Sequence, residues 1–149
     1  MAQVKKLVIA LLVCAWVLLG CVDQAAKNNQ ASHIAGNAPK AADFETFLHR
    51  DLTSHFKSIH GGELEVQYEF LREGHTQSGT SYPKYYLWVK VIQSGSTIEE
   101  GAVRCAAIGT THFEVTDFLT KTSLLTDPSQ AAFVFPAPVC DRLAEKVKG

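Results

Sequence analysis

The sequence predicts an α+β fold for residues 43–149, with an N-terminal helix packed on an antiparallel meander of three or four strands, followed by a short C-terminal helix. Apolar side chains recur at spacings of three and four over residues 44–59, the pattern of a helix with one buried face. Residues 63–70 then alternate between polar and apolar, which is typical of a half-buried strand. Because further apolar segments follow directly, we expect neighbouring strands to pair and helices to cover one face of the sheet.

The first predicted element is a helix that begins at Asp43 and ends before Gly61. Aspartate is a residue type that caps helix N-termini, and glycine accepts the left-handed conformation that follows a helix C-terminus. One apolar stripe of this helix is expected to face the sheet: Phe44, Phe47, Leu48, Leu52, Phe56 and Ile59.

The first predicted strand covers residues 63–70 and is followed by a polar loop at 72–81. Its inward side chains are Leu64, Val66, Tyr68 and Phe70. Its outward side includes a row of three acids, Glu63, Glu65 and Glu69. This row is interpreted as a solvated strand face, and it can also receive a basic partner.

The second predicted strand covers residues 82–92 and has two apolar faces. One face, formed by Tyr85, Leu87, Val89 and Val91, is expected to meet the first helix. The other carries Tyr86, Trp88 and Ile92, residue types that are enriched in interface cores. Two interpretations stay open: the C-terminal helix covers these three side chains, or they form a face for a partner or ligand.

The last third of the chain is predicted less sharply. A hairpin turn occupies residues 93–97, and residues 98–115 form one long strand or two short ones. Thr116-Asp117 is expected to cap a short helical turn at residues 118–119. A terminal helix is expected over residues 139–147.

The first twenty residues have the pattern of an export signal. Two lysines precede an uncharged apolar run at residues 7–19, which is too short to span a bilayer. Leu18-Leu19-Gly20-Cys21 follows, and this segment resembles the lipobox of bacterial lipoprotein precursors. The resemblance implies that residues 1–20 are removed and that Cys21 is acylated. Because Val22 rather than aspartate follows Cys21, it also implies the periplasmic side of the outer membrane.

The predicted lipid anchor is joined to the globular domain by a flexible tether, so that residues 21–42 comprise the lipidated cysteine and the tether. This segment is rich in Ala, Asn, Gln and Ser and contains few large apolar side chains. Twenty such residues reach roughly 25 Å on average. The predicted organisation is therefore a signal peptide at 1–20, the anchor and tether at 21–42, and one domain at 43–149.

Two cysteines, Cys105 and Cys140, remain after Cys14 and Cys21 are assigned to the signal and the anchor. An exported compartment is oxidising, so an even number of thiols favours a disulfide bond. A Cys105–Cys140 bond would tie the terminal helix to the third strand and would stabilise the fold by about 3.5–4 kcal/mol through loop closure.

The sequence favours a binding protein over an enzyme. Its formal charge of −1 argues against a nucleic-acid partner, and Ser54-x-x-Lys57 resembles the motif of penicillin-interacting serine enzymes without their other elements. Asp51, His55 and His75 are the best set for a metal, but their spacing is not diagnostic. We therefore expect no catalytic residues, no cofactor and no metal.

The expected function is a non-enzymatic binding or adaptor lipoprotein, a subunit or accessory of a cell-envelope assembly. Its expected contacts are the membrane, through the N-terminal lipid, and a protein partner. Two alternatives stay open: a periplasmic immunity protein against a delivered toxin, and a carrier of a small ligand. The order of elements over residues 43–147 is similar to cystatin-like folds and to the cone-shaped nuclear transport factor 2-like folds, an analogy that constrains function weakly.

Overall fold

The computed structural model describes residues 38–78 and 81–149. The predicted signal peptide, Cys21 and most of the tether lie outside these residues. The elements in chain order are α1 (Ala41–His60), β1 (Glu65–Phe70), β2 (Lys84–Gln93), β3 (Ser96–Ala107), β4 (Phe113–Thr120), α2 (Lys121–Thr126), a 3₁₀ turn (Pro128–Gln130), α3 (Ala131–Val134) and α4 (Ala137–Lys146). The strands form one antiparallel sheet in the order β1-β2-β3-β4. The predicted α+β class and meander are confirmed.

Helix α1 begins earlier than the sequence predicts. Lys40 occupies the N-cap position without a side-chain cap, and Asp43 lies in the first turn. The backbone N–H of Asp43 already donates to the carbonyl of Lys40 at 3.0 Å, so the prediction that Asp43 caps the helix is wrong. The C-terminus is as predicted, because Gly61 follows it with φ +70° and donates to the carbonyl of Lys57.

The first core cluster fills the space between α1 and one face of the sheet. The predicted stripe supplies Phe44, Leu48, Leu52 and Phe56, while Ile59 is exposed. The predicted inward faces of β1 and β2 also point here: Val66, Tyr85, Leu87, Val89 and Val91 are buried, and Leu64, Tyr68 and Phe70 pack against them. The periodicity of each element therefore identified its buried side correctly.

The segment after the β2–β3 hairpin forms two strands. The hairpin turns at Ser94 and Gly95, both with positive φ, as a two-residue turn requires. Residues 116–119 belong to β4, where Asp117 pairs with Arg104 and Leu119 pairs with Ala102. The predicted helical turn at these residues is wrong, because pairing with β3 outweighs the local capping preference of Thr116-Asp117.

One glycine in the middle of β3 lets β4 approach closely. A Cβ added to Gly101 would lie 2.3 Å from the carbonyl oxygen of Leu119 and 2.8 Å from the Cα of Thr120. Such distances are below van der Waals contact, so no other residue fits without moving the β4 backbone. Gly101 therefore permits the close approach of a neighbouring strand.

The C-terminal elements cover the opposite face of the sheet and enclose a second core cluster. This cluster comprises Leu71, Tyr86, Trp88, Ala102, Leu124, Ala131, Phe135, Val139 and Leu143. The sheet therefore lies between two helical layers, and the expectation that helices cover one face is corrected. The reason is the second apolar face of β2, which must also be shielded from water.

The predicted Cys105–Cys140 disulfide does not form. Cys105 is fully buried in the first cluster, on the side of α1, whereas Cys140 packs against the second cluster on the other side of the sheet. The sheet separates the two thiols, and an even cysteine count carries no information about which face each cysteine occupies. Burial raises the pKa of Cys105 to about 12, so its thiol stays protonated.

Candidate functional site

The predicted partner face on β2 is largely covered. Tyr86 and Trp88 are 4% and 2% exposed, and only Ile92 is half-buried. The ring of Phe135 meets that of Tyr86 edge to face at 6.0 Å. Of the two interpretations that the sequence left open, a free face for a partner does not describe Tyr86 and Trp88. The alternative interpretation, coverage by C-terminal elements, describes their surroundings.

The exposed apolar surface lies one layer further out, on the C-terminal elements themselves. Phe133 is 86% exposed and Leu125 is 58% exposed. Between α2, the 3₁₀ turn, α3 and α4 lies a groove of about 240 Å³, lined mainly by apolar side chains that include Leu124, Leu125, Ala131, Ala132, Leu143 and Val147. Phe133 belongs to α3, whose Ala132 lines this groove, while the side chain of Phe133 lines a second, more polar space with Lys84 and Arg104. We call the groove together with Phe133 the apolar face. Large exposed apolar patches often mark interaction sites.

The sequence contains a signal for this surface other than helical periodicity. Leu124-Leu125 and Phe133-Val134-Phe135 place large apolar residues side by side in elements of four to six residues. A single turn of helix can turn only one of two adjacent side chains to the core. Leu124 and Phe135 point inward, so Leu125 and Phe133 remain outside.

An arginine network fixes the apolar face to the sheet. Nε of Arg104, on β3, donates to the carboxylate of Asp117 on β4 at 2.7 Å. Nη1 of Arg104 donates to the carbonyl of Val134 at 3.0 Å. A charge-assisted hydrogen bond from the sheet therefore fixes the backbone of Val134, the residue next to Phe133. This contact links the backbone of α3 to the sheet.

Cys140 lines the groove of the apolar face and is half-buried. Its Sγ lies 3.4 Å from the carbonyl of Phe135, within reach of a thiol hydrogen bond. Burial and the neighbouring Asp141 raise the pKa of this thiol. At neutral pH the side chain is therefore a neutral, weakly polar part of the groove wall.

The candidate metal residues do not assemble. The Asp51 carboxylate accepts the backbone N–H of Phe113 at 2.7 Å and lies 3.4 Å from Nδ1 of His112. His75 instead lies beside Tyr85, with ring centroids 5.6 Å apart. Within residues 38–78 and 81–149, no group of three or more His, Cys, Asp or Glu side chains is placed to hold a metal.

Asp51 has a structural task between α1 and the β3–β4 turn. Burial alone would raise the pKa of Asp51, but hydrogen bonds from Arg50 and from the N–H of Phe113 together hold it below its usual value. Arg50 also donates to the carbonyl of Thr111 at 2.6 Å, so the Arg50–Asp51 pair clamps the turn. The carboxylate is thus ionised and engaged rather than free to transfer protons.

The serine–lysine motif does not form a catalytic pair. Nζ of Lys57 lies 2.7 Å from the carboxylate of Glu63, so the ammonium group of the motif is engaged in an ion pair with Glu63. A lysine that activates a serine must accept its proton, which an ammonium group held by a carboxylate does not favour. The motif is accounted for as part of the solvated side of α1.

Comparisons with known proteins give no family for this chain: it matches no family model, no curated protein and no solved structure. Among the described residues, no helix combines the length and the apolar character needed to cross a membrane.

Proposed function

We propose that the protein is a non-enzymatic, lipid-anchored binding protein of the bacterial cell envelope, and that its protein partner docks on the apolar face. Two observations support this proposal from independent parts of the chain. Residues 1–21 resemble a lipoprotein precursor. The observation that carries the binding role is Phe133, whose side chain is 86% exposed although it belongs to an ordered helical layer.

Energetics favour an occupant for this surface. A phenylalanine side chain that is fully removed from water contributes on the order of 2–3 kcal/mol. Exposed aromatic anchors next to apolar grooves are typical of the few residues that dominate interface energies. The groove beside Phe133 adds further apolar area, including Leu125. A partner that covers both would gain several kilocalories per mole without rearranging the sheet.

The tether determines where this partner is to be found. The predicted tether of about twenty residues would hold the domain at an average distance of roughly 25 Å from the lipid anchor. The partner is therefore a component of the envelope at that membrane. The proposed role is to hold or brace such a component, for example as an accessory subunit of an envelope assembly.

The alternative of a carrier that holds its ligand in an apolar cavity inside the core receives little support. A carrier needs an interior cavity, typically of 300–1,000 Å³. The space between α1 and the sheet is instead filled by side chains such as Phe56 and Tyr85, and the space on the other side is filled by Trp88. The immunity-protein alternative differs from the main proposal in the identity of the partner, which the following experiment addresses.

The experiment is site-specific photocrosslinking in intact cells. A photoreactive amino acid replaces Phe133 in one chain and Ile59 in a control chain. Ile59 is also a large exposed apolar residue, but it lies on α1, away from the apolar face. We expect a defined crosslinked product with an envelope protein from position 133 alone, and we expect it to disappear on adding Leu125→Ser. Equal products from both positions, or none from 133, would contradict the proposal. A product formed only when a foreign toxin is supplied would instead support the immunity role.

A further inference from the structure

A charged cleft lies where the C-terminal layer stops short of the β1 edge of the sheet. Helix α4 has only ten residues, and beside it a space of about 650 Å³ opens over β1, β2 and β3. Its walls carry four cationic and three acidic side chains: Lys90, Lys121, Arg142, Lys146, Glu69, Glu100 and Glu145. This cleft is separate from the apolar face and has the opposite chemical character.

Glu100 lies at the centre of the charges and is fixed in place. Its Oε1 accepts the indole N–H of Trp88 at 2.8 Å, and Trp88 is buried. The carboxylate is only 22% exposed. This hydrogen bond and the flanking lysines outweigh the effect of burial, so the pKa of Glu100 lies below its usual value and the group is ionised.

Two lysines approach this one carboxylate without bonding to it closely. Nζ of Lys90 lies 3.7 Å from Oε1 of Glu100, and Nζ of Lys121 lies 3.6 Å from Oε2. Both separations exceed those of direct hydrogen bonds, which are about 2.7–3.2 Å. Both lysines are thus ion-paired with one carboxylate, and their side chains, 49% and 29% exposed, remain accessible from the cleft.

Arg142 adds a third cation on the wall formed by α4. Its Nη1 donates to the carbonyl of Leu71 at 3.1 Å, and this neutral acceptor leaves the positive charge uncompensated. Lys146 differs, because it pairs with Glu69. Lys90, Lys121 and Arg142 therefore bring three positive charges to the cleft, against the two carboxylates of Glu100 and Glu145, and Gly149 completes this part of the wall.

We propose that this cleft binds a small anionic ligand that carries carboxylate or phosphate groups, with Lys90, Lys121 and Arg142 as its anchors. Glu100 attracts the two lysines in the empty cleft, and the arriving anion competes with this carboxylate for their N–H donors. A volume of about 650 Å³ accommodates an organic anion rather than a single ion. This inference depends neither on the lipid anchor nor on the apolar face.

The test titrates the full chain with three soluble probes: citrate, pyrophosphate and glycerophosphoglycerol. Binding is measured by calorimetry and by the fluorescence of Trp88, whose indole is bonded to Glu100. We expect saturable binding of at least one probe, weakened by added salt because exposed charges are screened. The preferred probe identifies the source: citrate a carboxylate, pyrophosphate a free phosphate, and glycerophosphoglycerol a lipid headgroup.

Three variants separate the cleft from general surface charge. Lys90→Gln combined with Lys121→Gln should weaken binding at least tenfold. Lys57→Gln should leave it unchanged, because Lys57 is about as exposed as Lys90 but lies outside the cleft. Glu100→Gln should strengthen binding, since glutamine still accepts the indole N–H but no longer attracts the two ammonium groups.

The opposite effects of the lysine and glutamate variants make the test decisive. Each of three results would overturn the proposal. The first is no saturable binding of any probe at millimolar concentration. The others are a double variant that binds as tightly as the native protein and a Glu100→Gln variant that binds more weakly. Circular dichroism of each variant checks the fold. If the double variant unfolds, Arg142→Gln replaces it, and it should also weaken binding tenfold. This variant should fold, because Arg142 is exposed and its replacement breaks only one contact to Leu71.

Discussion

Replacing Asp51 with alanine removes the side chain that joins α1 to the turn between β3 and β4. The carboxylate is 10% exposed and accepts the backbone N–H of Phe113 at 2.7 Å. It also receives Arg50 at 2.8 and 3.0 Å, and Arg50 binds the carbonyl of Thr111. One side chain thus supports the start of β4, an edge strand of the sheet.

The expected loss follows from what the substitution leaves behind. Phe113 is 3% exposed, so its N–H would remain buried without an acceptor, at a cost of about 1–3 kcal/mol. The half-exposed Arg50 contact adds little, because solvent screens it. We expect Asp51→Ala to lower the free energy of unfolding by about 2 kcal/mol. Asp51→Asn keeps an oxygen acceptor for Phe113, so its loss should be at most about 1 kcal/mol.

Urea unfolding followed by the fluorescence of Trp88 measures both values at pH 7. The pH dependence has a definite sign. The pKa of Asp51 is lower in the folded protein than in the unfolded chain, so its ionised form stabilises the fold above the unfolded-state pKa of about 3.9. This contribution is lost as the pH falls through the lower folded-state pKa. The difference between the native protein and Asp51→Ala should therefore be constant above about pH 5 and narrow in acid.

Two results would refute this reasoning. Asp51→Ala within about 0.5 kcal/mol of the native protein at pH 7 would show that the clamp does not support the turn, since this is the range of neutral surface substitutions. A difference that widens on acidification would show that the carboxylate is not stabilised in its ionised form.

Three further predictions concern the thiols, the sheet and a cap. Cys140 should react with a thiol reagent in the folded protein, and Cys105 should react only after unfolding, because Cys105 is fully buried. Reaction of both thiols in the folded protein would contradict this prediction. So would a mass gain of two on reduction, because it would reveal a disulfide bond. Gly101→Ala should cost more than about 2 kcal/mol in urea unfolding, because its Cβ would meet the β4 backbone; an unchanged midpoint would refute the close approach. Thr120→Ala should cost about 1 kcal/mol, because its side chain accepts the N–H of Ser123 at the start of α2; Thr122→Ala, on an exposed side of the same helix, is the control.

Much of the fold could be predicted because a helix or strand that buries one face carries apolar residues at regular spacing in its own sequence. The spacing of apolar residues in α1 and the alternation in β1 identified both buried faces, whereas the two apolar faces of β2 left open whether the second face is covered by the chain itself or by a partner. Ile59 was included in the apolar stripe, but the buried line of α1 runs at intervals of four through Phe56 to His60, whose Nε2 lies 2.6 Å from Glu99 on β3, so Ile59 lies to one side and is exposed. The apolar pattern alone did not distinguish a residue at the centre of the stripe from one at its margin.

Features that depend on distant residues were not predictable in the same way. Thr116-Asp117 has a strong local capping preference, and only pairing with Arg104 and its neighbours on β3 decides that it forms a strand. The disulfide was inferred from number and compartment, while the faces of Cys105 and Cys140 depend on strand register and on the layer that covers each face.

The candidate sites show the same division. Tyr86 and Trp88 were correctly recognised as too apolar for a solvated face, but the layer that covers them is built from short elements with weak periodicity. The exposure of Phe133 and the convergence of Lys90 and Lys121 on Glu100 both depend on how that layer docks. Adjacent large apolar residues in short elements were the available signal for the apolar face.

The proposed lipid-anchored binding function requires that the chain be acylated at Cys21. The intact mass of the protein extracted from bacterial membranes measures this directly. We predict a chain that begins at Cys21 and carries the added mass of acyl groups, and we predict that Cys21→Ser abolishes both the added mass and membrane association. A mature chain that begins at another residue, or an unmodified Cys21 in the membrane fraction, would contradict the account.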